Sequence, residues 1–182
     1  MKGIIFTEFL DMVEDRFGLA VADRIIAAAG SATGGAYTAV GAYDHREMVR
    51  MVAALAQETG APAGDLARAY GQHLFGYFVR NYPELFAGLR STFDFLAHLD
   101  GTIHVEVRKL YADAEPPRFE IAAPTAEGAM TMIYHSSRAL ADVAEGLMLG
   151  CAAHFGERIA IRRADLSDGQ GTVVEFTLEK TS

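Results

Sequence analysis

The feature that most restricts the fold of this chain is a change in the period of its apolar residues at Pro116-Pro117. Before that pair, apolar side chains recur at three and four residues, the spacing that lines one face of an α-helix. Ile5, Phe9, Met12, Val13 and Phe17, then Val21, Ile25 and Ile26, predict two helices over 2–30 with a break near Gly18. Ser31 to Gly41 reads as a linker of small residues, and Asp44-His-Arg-Glu47 has the form of a capping box opening a helix that runs to Thr59. Gly60-Ala-Pro62 ends that helix. Asp65 opens the next, carried by Leu66, Tyr70, His73, Leu74, Tyr77 and Phe78 to Asn81-Tyr-Pro83. After Pro117 the period drops to two: Phe119 and Ile121 alternate with Arg118 and Glu120, Pro124 to Gly128 turns the chain, and Ala129 to Tyr134 returns as a second strand. Arg138 to Phe155 resumes helical spacing through Leu140, Val143, Leu147 and Cys151. Two further strands, Glu157 to Leu166 and Thr172 to Glu179, flank Ser167-Asp-Gly-Gln-Gly171. Helices followed by a small antiparallel sheet make an α+β protein.

At 182 residues and 51% hydrophobic content, one domain spanning 1–182 can bury a continuous core and still enclose a large apolar ligand. A net charge of -8 and a pI near 5.2 deny most of the surface an attraction to phosphate backbones, so nucleic acid is excluded as an expected partner. Glu8 and Asp11 interrupt the N-terminus before an apolar run develops, and Asp23, Arg24 and Glu145 interrupt the greasiest segments. No signal peptide or membrane insertion is expected, and the location expected is cytoplasmic. The single cysteine, Cys151, permits neither an internal disulfide nor a multi-thiolate zinc site.

Three groups of residues bear on chemistry. His104 follows Gly101 in a segment rich in Phe93, Phe95, Leu96, Leu99, Ile103 and Val107, so its imidazole would face an apolar environment. Such a ring serves either as an axial ligand for heme iron or as a core histidine satisfied by a backbone carbonyl. The remaining histidines, His45, His73, His98, His135 and His154, read as structural. Tyr134, Ser136 and Arg138 stand at intervals of two, which in an extended segment puts all three on one side. A guanidinium and two hydroxyls suit a carboxylate, although the same pattern also fits a solvated strand end. Pro116-Pro117 is at least a stiff entry to a strand.

Together His104-Val-Glu-Val-Arg-Lys-Leu-Tyr111, Pro116-Pro117-Arg118 and Tyr134-His-Ser136-Ser-Arg138 resemble the heme nitric oxide/oxygen binding family, H-NOX. The opening Met1-Lys-Gly-Ile-Ile5 and Tyr82-Pro-Glu-Leu-Phe86-Ala-Gly88 extend the likeness over nearly the whole chain. The resemblance implies a distal helical lobe over about 1–62, then a proximal lobe over about 63–182 with helices and a four-stranded antiparallel sheet, and heme b, ferrous protoporphyrin IX, between them. It makes His104 the axial ligand of the iron, gives the propionates to Tyr134, Ser136 and Arg138, and sets Pro117 and Ile5 against the porphyrin from the two lobes. Some bacterial relatives carry a cysteine-rich zinc site that this chain cannot build.

Gas preference follows from the distal side. Relatives that hold oxygen use a tyrosine where this chain has Val143, supported from positions that read here as Phe9 and Leu74. A pocket of Ile5, Phe9, Leu74, Phe78, Val143 and Leu147 offers bound oxygen no hydrogen bond. The expectation is a sensor, not an enzyme, that binds NO and CO but O2 poorly and signals by releasing His104 and flattening the heme. Rotation of Tyr70, His73 or Tyr77 into the pocket would favour instead an O2 sensor or carrier, or with His73 a peroxidase-type enzyme. A hydrophobic-ligand or protein-binding module is the reading if His104 and Arg138 are structural. The chain ends at Ser182 with no kinase or cyclase segment, so the expected output is a separate sensor histidine kinase or a cyclic-di-GMP cyclase/phosphodiesterase.

Overall fold

The computed structural model describes residues 1–110, 114–122 and 128–181; Tyr111 and most of the expected Pro124–Gly128 turn lie outside them. Helices α1 (Gly3–Phe17) and α2 (Leu19–Ala29) meet at Gly18, whose φ of 88° is open to glycine and strained for other residues. Helix α3 (His45–Thr59) is capped by Asp44, whose carboxylate accepts the Arg46 N–H at 3.0 Å. The expected reciprocal box is only half present. Glu47 is buried and accepts the Tyr37 hydroxyl at 2.7 Å instead of turning back to its own helix start. Helix α4 (Ala63–Asn81), at 19 residues, comes next, followed by a short turn of 3-10 helix (Pro83–Phe86) and α5 (Thr92–Ala97).

The chain next widens into a π-helical turn, Leu99–Ile103, that leads into α6 (His104–Leu110). Strands β1 (Arg118–Ile121), β2 (Ala129–His135), β3 (Arg158–Asp165) and β4 (Val173–Thr181) form one antiparallel sheet in the order β1-β2-β4-β3. The period-two pattern puts Met132, Tyr134, Val174, Phe176 and Leu178 on its buried face, packed with Ala144, Met148 and Cys151 of α7 (Ala141–His154). Helix α7 starts three residues later than its apolar spacing suggested. β2 ends at His135, and Ala139, at φ 51°, turns the chain before the helix can begin.

Two cores result. The first gathers Phe6, Phe9, Met12, Ile25, Met51 and Leu55 with Leu66, Tyr70 and Leu74 of α4. The second gathers Phe75, Phe95, Ile103, Tyr134, Met148 and Phe176. Helix α4 therefore serves both, with Leu74 in one core and Phe75 in the other. It crosses α7 at backbone contact: a Cβ on Gly71 would meet the Val143 carbonyl oxygen at 2.3 Å, and one on Gly146 the Arg68 carbonyl oxygen at 2.1 Å. Among the described residues no helix is long and apolar enough to cross a membrane. Cys151 is buried, and burial pushes its thiol up to about 12.

Candidate functional site

A cavity of about 280 Å³ lies where the two cores face each other. One wall is built by the π-helical turn. Both Thr102 and Ile103 donate backbone N–H groups to the His98 carbonyl, at 2.9 and 3.1 Å, and the widened turn brings Asp100 beside His104. Asp100 Oδ1 lies 2.7 Å from His104 Nδ1, while Asp100 Oδ2 accepts the Phe119 N–H at 2.6 Å. A carboxylate accepts only, so it places the proton on Nδ1 and leaves Nε2 with its lone pair for the cavity that His104 lines. Burial lowers the imidazole pKa, against the pull of Asp100 upward, and keeps the ring neutral. Pro116 and Pro117 line the same cavity beside Phe119, whose ring centroid is 6.1 Å from that of His104.

The same cavity also carries polar groups. Tyr134 is buried, its hydroxyl oxygen accepts the Leu140 N–H at 3.0 Å, and Ser136 Oγ accepts the Arg138 N–H at 3.2 Å. Tyr134, Ser136 and Arg138 all line the cavity, but alternation along a strand is not the cause. Only Tyr134 belongs to β2; Ser136 and Arg138 sit in the turn that follows, which curls their side chains back to the same place. Arg138 reaches Glu115, 2.6 Å from its carboxylate, and also donates to the Glu115 carbonyl.

The lining contributed by the other helices is apolar: Ile5 from α1, Leu74 and Phe78 from α4, Val143 and Leu147 from α7. Phe9 does not join it. One helical turn beyond Ile5, it is fully buried in the first core, edge-on to Tyr70 with centroids 5.3 Å apart. Nor do Tyr70, His73 or Tyr77 line the cavity. The Tyr70 hydroxyl is spent on the Ile5 carbonyl at 2.6 Å, and His73 Nε2 stands 3.5 Å from Glu8 Oε2 on the α1 side of α4. Tyr77 packs on Phe78 and Tyr82, where burial is the main cause raising its hydroxyl pKa to about 12. Tyr82 does reach the cavity, a hydroxyl that periodicity alone did not single out. Asp100 and Glu115 were missed as well. An acid one helical turn before a candidate ligand histidine was the available signal for Asp100.

A neutral imidazole with its outer nitrogen tethered, an apolar cavity beside it and an arginine with two hydroxyls define a site for a flat, largely apolar ligand with an anionic edge and a metal centre. The chain belongs to the family described as Haem-NO-binding, whose model matches residues 2–163, and its cofactor is heme. The structure superimposes on the Fe(II) unliganded H-NOX protein from K. algicida with a TM-score of 0.94 at 41% identity, covering 100% of this chain and 97% of that one. The S. oneidensis H-NOX protein in the Fe(II)NO ligation state gives 0.91 at 26% identity, with 100% of both chains covered. An I5F mutant of the T. tengcongensis H-NOX gives 0.86 at 26% identity, covering 100% and 98%. No curated protein matches the chain. Heme fits the residues present, because the cavity supplies a ligand nitrogen, apolar walls and an anion partner.

Proposed function

We propose that this member of the heme-binding gas-sensor family responds to NO, also takes CO, and binds O2 poorly. The reading rests on one observation: the cavity-lining side chains of α1, α4 and α7, Ile5, Leu74, Phe78, Val143 and Leu147 among them, carry no hydrogen-bond donor, and the neighbouring Tyr70 hydroxyl is already bonded to a backbone carbonyl. Heme supplies a ferrous centre at which diatomic gases bind. Oxygen gains most from a donor, at roughly 1.5–3 kcal/mol for a charge-assisted bond, so a hydrocarbon wall forgoes about ten- to a hundredfold in oxygen affinity.

In this reading His104 Nε2 is the protein's bond to the metal, Asp100 fixes its tautomer, Tyr134, Ser136 and Arg138 hold the carboxylates, and Pro117 and Ile5 bear on opposite sides. NO would release His104. Once released, the imidazole no longer restrains α6 and the π-helical turn, and Asp100 passes that relaxation to β1 through the Phe119 N–H. Ile5 packs against the first core and Phe119, two residues beyond Pro117, against the second, so relaxation becomes relative motion between the two cores, a two-state change biased by the gas. The partner that reads this motion is a separate sensor histidine kinase or a cyclic-di-GMP cyclase/phosphodiesterase, and the working location is the cytoplasm.

Absorption spectra of the reduced protein, taken anaerobically, in air and with NO, test the gas preference. No change in air and a five-coordinate nitrosyl spectrum with NO are expected; a stable oxy spectrum in air defeats the reading. His104→Gly should then regulate the partner as the NO-bound protein does, and regulation like that of the unliganded protein counts against release of His104 as the signal.

A further inference from the structure

Building on the assignment of Arg138 to the heme carboxylates, we infer that Glu115 is a built-in competitor for the Arg138 guanidinium and sets how firmly heme is retained. Two acceptors of Glu115 meet the same fork. One guanidinium nitrogen of Arg138 donates to the Glu115 backbone carbonyl, and the other lies 2.6 Å from the Glu115 carboxylate. Glu115 is the one carboxylate paired with Arg138 among the described residues, and it lines the cavity with Pro116 and Pro117.

The two acceptors differ in how easily they leave. The carbonyl belongs to a residue followed by Pro116, whose ring restricts the Glu115 backbone, so this contact holds the guanidinium in register with the proline pair. The carboxylate sits on a side chain that is 80% exposed, whereas the Arg138 side chain is only 19% exposed. Water replaces Arg138 for the glutamate at little cost, and nothing comparable replaces Glu115 for the arginine. A heme carboxylate arriving at Arg138 therefore either displaces the Glu115 carboxylate or shares the cation with a like charge. Both outcomes weaken its hold, and neither applies to glutamine, which keeps the shape and loses the charge.

The test is transfer of hemin from the loaded protein to excess apomyoglobin, followed by absorbance at low and at high salt. Glu115→Gln should lose hemin about three- to fivefold more slowly at low salt, the scale of a partly exposed ion pair, with the difference shrinking at high salt. The effect should vanish in the Glu115→Gln/Arg138→Gln double variant and with the dimethyl ester of heme, which carries no carboxylates. Unchanged or faster loss from Glu115→Gln, or an effect that survives with the ester, overturns the inference. If Arg138→Gln alone leaves hemin loss unaltered, the assignment of Arg138 itself falls.

Discussion

Asp100 Oδ1 and His104 Nδ1 are 2.7 Å apart across one turn, and the second oxygen of the same carboxylate holds the Phe119 N–H at 2.6 Å. One side chain thus ties the candidate ligand to the strand that follows Pro117. Asp100→Ala should remove both bonds. The imidazole would lose its fixed tautomer, and orienting partners of this kind are worth about ten- to a hundredfold in metal affinity. The iron–histidine stretch in resonance Raman spectra should fall and NO should displace His104 faster; Asp100→Asn, which keeps an acceptor without its charge, should lie between. A stretch unmoved in Asp100→Ala would show that the contact does not tune the ligand.

Val143 stands on the hydrocarbon wall at the position where oxygen-holding relatives are expected to carry a tyrosine. Val143→Tyr should give the reduced protein an oxygen adduct about ten- to a hundredfold tighter than the parent, read by titration with air-saturated buffer. Val143→Phe, equal in bulk without the hydroxyl, should not. An oxygen adduct in the parent that is lost in Tyr82→Phe would instead identify Tyr82 as the donor.

Much of this arrangement was legible in the residues because the period of apolar side chains reports which face is buried. Gly18, Gly60 and Pro83 punctuate the helices where the spacing breaks, and Phe119 with Ile121 marks the change to strand. The convergence of Tyr134, Ser136 and Arg138 was also legible, but its cause was not. A turn at positive φ on Ala139 depends on what the chain meets next, which alternation does not encode. Phe9 is expected at the pocket only through the resemblance, as a position that would support a distal tyrosine; the edge-on contact with Tyr70 that draws Phe9 into the core comes from a helix some sixty residues away. The π-helical turn escaped for a similar reason, since Asp100-Gly101 reads locally as a helix end.

The α4–α7 crossing makes a prediction about stability. Gly146→Ala would set a Cβ 2.1 Å from the Arg68 carbonyl oxygen, a backbone atom that moves only if the helices separate. Overpacking of this kind costs about 1–3 kcal/mol, which for a chain of this size lowers Tm by several degrees. Gly64→Ala, on the same helix as Gly71 but 3.3 Å from a flexible Asp142 oxygen, is the control and should shift Tm far less. Equal shifts in the two variants would contradict backbone contact at the crossing.

The last prediction concerns Glu8, which is buried on α1 with His73 Nε2 at 3.5 Å, an ion-pair distance at which that nitrogen has no hydrogen-bond partner. Burial is the main cause raising the Glu8 pKa above 4.5, with Asp11 adding to it and Arg80 opposing. Burial likewise lowers the His73 pKa below 6.5, so the pair is a poor ion pair. The signs follow from proton counts. Between 4.5 and its raised folded value Glu8 binds more protons in the folded state, so stability falls as pH rises through that window and the charged carboxylate is a burden above it. His73 binds fewer protons folded, so its contribution is complete above 6.5 and declines as pH falls through that value. Glu8→Gln should therefore raise Tm by about 2–4 °C at pH 8, with the gain fading towards pH 4 as the parent glutamate protonates. A gain that grew on acidification, or a loss at pH 8, would mean that the Glu8 charge is stabilised by His73 and Arg80 more than burial penalises it.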